Sequence, residues 1–155
     1  MRVSTKGRYA VMAMVDLAQN GAGRPIVLAD VAARQQISLS YLEQLFARLR
    51  RAGLVTGVRG PGGGYRLARA PDATRIADIM LAVEEPMDPT RCGNRAARGC
   101  MGKAGRCATH DLWEELGNQI YLFLSGVSLA DVLAGRVLGA SRAVRPVEAH
   151  AVAAE

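Results

Sequence analysis

The stretch ISLSYLEQLFARLRRAGLVTGVRGPGGGYRL, residues 37–67, decides the fold. It opens with a short turn, Ile37-Ser38-Leu39-Ser40. Ser40 stands three residues before Glu43, the spacing of a capping box, in which hydroxyl and carboxylate satisfy each other's backbone amides. A helix from Tyr41 to Arg51 then puts Leu42, Leu45, Phe46 and Leu49 on one face at helical period. Gly53 stops it. Leu54 to Val58 reads as a strand, Arg59 to Gly64 as a glycine-rich turn, and Tyr65 to Leu67 as the returning strand.

Outward from this stretch the pattern extends both ways. Upstream, Ser4 can cap a helix that runs to about Gln19 and ends at Asn20-Gly21. A second helix spans roughly Leu28 to Gln35. Helix, turn, amphipathic helix and hairpin, in that order, predict a mainly α chain built on a winged helix-turn-helix. Downstream, Asp72 or Thr74 can cap a fourth helix with Ile76, Ile79, Met80 and Val83 inward. Residues 86–108 are glycine-rich, charged and without periodicity. A longer helix returns from Thr109 to about Leu124, striped by Leu112, Trp113, Leu116, Ile120, Phe123 and Leu124. Ser128 can cap a last short helix, Leu129 to Ala134, ended by Gly135. The expected division is a DNA-binding domain at 1–85, a metal-cluster loop at 86–108, a dimerisation helix with the short terminal helix at 109–138, and a disordered tail at 139–155. The stripe at 109–124 is wider than one small domain needs, so Leu112, Trp113, Leu116, Ile120 and Phe123 are expected to face a second copy.

Charge supports a nucleic-acid partner. The chain carries a net +6, and the excess is all in the first half: residues 1–75 hold 12 lysines and arginines against 4 acidic residues. A basic module of this kind suits phosphate. Ser38 and Ser40 sit at the start of the third helix, where hydroxyls and free amides can bind phosphate. Tyr41, Glu43, Gln44 and Arg48 are expected on its outer face, with Gln44 and Arg48 able to read base edges. Arg59 and Gly60 occupy the hairpin tip, and an arginine there suits the minor groove. Glu43 has two readings. It can be merely the capping partner of Ser40, or it can accept a hydrogen bond from a cytosine amine and repel sites that lack one.

The second concentration of chemistry is downstream. Cys92, Cys100, Cys107 and His110 share one 19-residue window, and the chain has no other cysteine. Thiolate and imidazole are the donors that soft and borderline metals prefer. Zinc is the first candidate for three cysteines and a histidine. Structural zinc sites, however, use tight Cys-x2–4-Cys pairs, whereas these cysteines have seven and six residues between them. Wide spacing suits a larger object, such as a 2Fe–2S cluster. Charge does not separate the two, since either core with these ligands sums to −1. A redox-reactive thiol cluster without metal is the plainer alternative. A histidine ligand must be deprotonated, so it makes retention more pH-sensitive than a fourth cysteine would.

Together these segments resemble the IscR family of bacterial winged-helix, cluster-sensing transcription factors. The resemblance rests on Arg2 to Val11, on Ile37 to Phe46, on Val58 to Tyr65 and on Cys92 through Trp113. It covers about residues 1–135. It implies a homodimer that binds a pseudo-palindromic operator through two winged helices. It implies a 2Fe–2S cluster held by Cys92, Cys100, Cys107 and His110, and control of cluster-assembly genes. In that picture the loaded protein represses its own operon, and other promoters are bound with or without the cluster.

Composition excludes other classes. Three cysteines, an odd number, argue against a disulfide framework. The sequence has no membrane-length apolar run and no secretory leader, so a cytoplasmic location is expected. Paired catalytic carboxylates in a motif, a phosphate loop and a nucleophile elbow are all missing, so no enzyme is expected. The competing reading is a winged-helix interaction module stabilised by zinc.

Overall fold

A computed structural model of the chain describes residues 3–85, 87 and 106–137. Cys92, Cys100 and the tail at 139–155 lie outside the described residues, as does most of the loop at 86–108.

Helix α1 (Thr5–Gly21) starts where the sequence predicts, with Ser4 Oγ accepting from the Gly7 amide. It buries Ala10, Ala13, Met14 and Leu17. Helix α2 (Leu28–Gln35) is short and adds Leu28 and Val31. A tight turn follows, with Gln36 left-handed at φ 54°. Helix α3 (Leu39–Arg51) then inserts Leu42, Leu45, Phe46 and Leu49 into the same core. Strands β1 (Val55–Val58) and β2 (Gly64–Leu67) form an antiparallel hairpin with Val55 opposite Leu67 and Gly57 opposite Tyr65. Ile26 bridges Tyr65 and so ties the hairpin to the loop before α2. The fold is the expected mainly helical winged helix-turn-helix.

Two expected caps are not made. Helix α3 begins at Leu39, two residues earlier than expected, with Ser38 as its N-cap. Ser40 is therefore already inside the helix and cannot form the capping box with Glu43. Helix α4 (Ile76–Ala82) is capped by Arg75 instead of Asp72 or Thr74. Asp72 lies in a single 3-10 turn, Pro71–Ala73. Thr74 is buried and its hydroxyl donates to the Ala70 carbonyl at 3.0 Å, closing that turn.

The chain ends by coming back. Helix α5 (His110–Gly126) packs beside α4, and α6 (Leu129–Leu133) returns to α1. The Ile76 amide donates to the Val127 carbonyl, and the Leu129 amide to that of Thr74. Leu129 is fully buried in the core of the first 85 residues. Ser128 and Asp131 make a complete capping box at the start of α6. An ion pair between buried Asp16 and exposed Arg34 ties α1 to α2. Asp16 of α1 accepts from Arg34 Nη2 at 2.6 Å and from Gln35 Nε2 at 2.8 Å.

Candidate nucleic-acid interface and metal-ligand turn

The N-terminal end of α3 is open to solvent. Ser38, Ser40, Glu43 and Gln44 are all exposed there. Ser38 caps through its backbone alone, without a side-chain bond. With no capping box, Glu43 has no hydrogen bond or ion pair among the described residues. Its carboxylate stands on the wall of a shallow groove between α3 and the hairpin, shared with Leu39, Val58, Gly60 and Tyr65. The plain structural account of Glu43 is thereby removed.

The hairpin tip carries Arg59 and Gly60 into solvent. Its sharpness depends on glycine. A Cβ at Gly63 would press into the carbonyls of Val58 and Gly60, and one at Gly64 into that of Ile26. Gly64 is also at φ 150°, a region side chains avoid. Any side chain at these two positions would part the turn from the bridge that fixes its angle.

Tyr41 and Arg48 are less free than expected. Tyr41 is half-buried, with its ring edge-on to Tyr9 at 6.0 Å. Arg48 is half-buried and ion-paired with Glu84, just past the end of α4. The next residue, Glu85, is buried and accepts from both the amide (2.8 Å) and the hydroxyl of Ser4. Burial pushes the Glu85 carboxyl up. Hydrogen bonds from Ser4 and Gly7 and the charge of Lys6 prevail, and hold it below its ordinary value. This acidic doublet ties the entrance of the 86–105 segment to α1 and to the reading helix. Neither Glu84 nor Glu85 stands out in the sequence. Partners 36 and 81 residues away leave no local signal.

The exit of that segment is described from Arg106. Cys107 is half-buried, and its carbonyl accepts from the His110 amide at 3.0 Å. Its sulfur lies 3.7 Å from Thr109 Oγ1. His110 opens α5 and is that helix's one buried residue. One backbone turn therefore joins Cys107 and His110, the last two members of the expected ligand set. Their donor chemistry fits zinc or an iron–sulfur cluster equally. His110, Asp111 and Glu114 also bring ligand atoms within 4.8 Å of one another. Arg106 already spans those carboxylates, at 3.2 Å from Asp111 and 3.4 Å from Glu114. One guanidinium thus offsets one of the two carboxylate charges without a metal.

Most of α5 is uncovered. Leu112 is 62% exposed, Leu122 60% and Phe123 56%, with Trp113 and Tyr121 also exposed. Leu116 and Ile120 are half-buried. Tyr121 and Leu122 widen the apolar surface beyond the predicted stripe. Among the described residues no helix is long and apolar enough to cross a membrane.

Comparison with known proteins agrees with this geometry. The chain is 50% identical over 133 residues to the HTH-type transcriptional regulator IscR of Aliivibrio salmonicida, covering 86% of this chain and 77% of that one. The IscR structure from T. potens superposes with a TM-score of 0.72 at 40% identity, over 88% of each chain. CymR, the global cysteine regulator of B. subtilis, superposes equally well, at a TM-score of 0.72 and 32% identity, over 87% of this chain and 98% of that one. The family resemblance drawn from the motifs is borne out. Residues 3–135 match the Rrf2 family, described as an iron-dependent transcriptional regulator, and the chain belongs to that family: it is a regulator of transcription and not an enzyme.

Proposed function

We propose that the chain is a cytoplasmic, homodimeric, DNA-binding regulator that carries a 2Fe–2S cluster and controls iron–sulfur cluster assembly genes. Cys92, Cys100, Cys107 and His110 are the proposed ligands. The observation that carries this reading is the backbone turn in which half-buried Cys107 precedes buried His110 and its carbonyl accepts from the His110 amide, in a chain half identical to an IscR. CymR shares the fold to the same degree, so the donor set, and not the fold, supports the cluster.

Residues 1–85 do the reading, 86–108 hold the cluster and 109–138 join two copies, with 139–155 as a tail. Ser38 and Ser40 position the phosphate backbone. Gln44 and Glu43 face base edges, and Arg59 with Gly60 enters the minor groove. Tyr41 supports this face from within α3, braced against Tyr9 of α1, and Arg48 joins it when Glu84 lets go. Leu112, Trp113, Leu116, Ile120 and Phe123 pack against the twin helix. The two wings then meet half-sites about one ~34 Å helical turn apart or a multiple of it. When bound, the cluster supplies a charge and a covalent tie between the loop and α5. The chain's own residues carry that tie onward, because the loop's entrance is fixed to α1 by Glu85 and to α3 by Glu84. Occupancy thereby alters which promoters are held.

The test is an anaerobic visible spectrum with iron and sulfide analysis, beside promoter footprints of the wild type and of a Cys92→Ala, Cys100→Ala, Cys107→Ala variant. A brown protein with matched iron and sulfide, and a variant with an altered promoter set, is the expected result. A colourless, zinc-containing protein would mark a zinc-stabilised module. Identical footprints would remove the sensing role.

A further inference from the structure

Behind the reading surface, a cleft of about 570 Å3 opens between the C-terminal end of α1 and the base of the hairpin. Two segments turn three arginines to it: Arg24 from the α1–α2 loop, and Arg66 and Arg69 from β2 and the residues just after it. No carboxylate lines it. The three side chains are exposed, and among the described residues none is in an ion pair. Arg66 Nε donates to Thr56 Oγ1 at 3.3 Å, which steadies that guanidinium at the mouth. Leu17 and Leu67 add an apolar wall. Three like charges gathered around a concavity repel one another, and a bound anion relieves that cost.

The cleft is not part of the DNA face. Tyr65 lays its ring against Phe46, centroids 5.0 Å apart. Successive residues on a strand point to opposite sides. Arg66 and its cross-strand partner Thr56 therefore face away from α3. The hairpin base also follows the C-terminal end of α3, whereas Ser38, Ser40 and Glu43 stand at the other end, beside the tip.

We propose that Arg24, Arg66 and Arg69 form an effector site for a small organic polyanion. The shared chemistry is a molecule bearing two or more carboxylate or phosphate groups on a short carbon frame. The planar guanidinium fork matches either oxyanion, and the volume suits a small molecule rather than a single inorganic ion. A bound ligand ties β2 to the α1–α2 loop and so sets the tilt of the hairpin that carries Arg59. The site stands independently of the metal reading.

The experiment is calorimetric titration of the full-length protein, without DNA and at fixed ionic strength. The two probes are tricarballylate and fructose 1,6-bisphosphate, which separate carboxylate from phosphate preference. At least one is expected to saturate. An Arg66→Gln, Arg69→Gln variant, shown folded by its thermal melt, is expected to bind it at least about ten-fold more weakly. Should that pair fail to fold, Arg69→Gln alone, which removes no bond in the described chain, serves in its place. Arg59→Ala is expected to leave anion binding unchanged. No saturation by either probe below ~10 mM overturns the site, as does an arginine variant with wild-type affinity. Loss of anion binding in Arg59→Ala, or displacement of the anion by a non-specific duplex, would assign these arginines to the DNA footprint and overturn it equally.

Discussion

At the scale of single residues, the DNA-reading surface makes two separable demands. Arg59 sits on a tip built to approach a groove closely. Arg59→Ala is expected to weaken operator binding by ~1–3 kcal/mol, measured by gel shift at fixed salt, as loss of a base-level contact does. An unchanged affinity would take the wing out of the interface. Glu43 works differently. Its exposed carboxylate has no partner to stabilise, so Glu43→Ala should leave the melting temperature nearly unmoved. Its effect should be on choice: tighter binding to sites without a cytosine amine at that position, and up to ~1–3 kcal/mol weaker binding to sites with one. Competition footprinting over a randomised half-site reads both. The sequence left Glu43 ambiguous because Ser40 stands at the capping-box distance. The register of α3, two residues earlier, removes the capping box and leaves base reading as the proposal, and Ile37 and Leu42 bury on either side of that start, which no local spacing records.

At the scale of elements, legibility followed periodicity. The leucine face of α3 and the glycine turn of the hairpin are strong local patterns, and the chain folds as they direct. The caps of α3 and α4 were misplaced because several hydroxyl and carboxylate residues crowd each start, and packing chooses among them. The width of the apolar surface on α5 was under-read, since Tyr121 and Leu122 lie off the predicted stripe. That surface is where the element-scale prediction belongs. Leu122 and Phe123 are both more than half exposed, so replacing the pair by glutamate removes little from the fold of one chain. It should convert the dimer to monomer in sedimentation velocity and lower operator affinity steeply while leaving helicity intact. A dimer that persists would place the interface elsewhere. Leu129 of α6 gives the opposite case. It is fully buried in the core of the first 85 residues, so Leu129→Ala should cost ~2–5 kcal/mol in urea unfolding, although it is the last buried apolar anchor among the described residues.

At the scale of the whole molecule, stability depends on carboxylates that hold the ends together. Burial pushes Asp16 up, but hydrogen bonds from Arg34 and Gln35 and the Arg34 charge outweigh it and hold it below its ordinary value. Glu85 is lowered by the balance described above. Asp131 is lowered by hydrogen bonds from Ser128, then by Arg136, from 3.8 to about 2. Each group has a depressed pKa in the folded state. Its contribution is therefore complete above the unfolded value and lost as pH falls through the folded one. For Asp131 that window runs from 3.8 down to about 2. Urea midpoints of the metal-free protein should stay level from pH 7 to pH 5 and drop sharply by pH 3. Glu85→Gln should lower the midpoint at pH 7 and flatten the acid slope. An equal slope in that variant would deny Glu85 its role.

Both banks of the 86–105 stretch are moored: Glu85 to α1 through Ser4, and Cys107 to the start of α5 through the His110 amide. Chain added between two fixed moorings costs little, about 0.6 kcal/mol for each doubling of length. The gap between Cys92 and Cys107 can accordingly lengthen or shorten over generations without the reading head feeling it. On the proposed function, evolution is left free to retune how tightly the inorganic cargo is held without refolding the reading head.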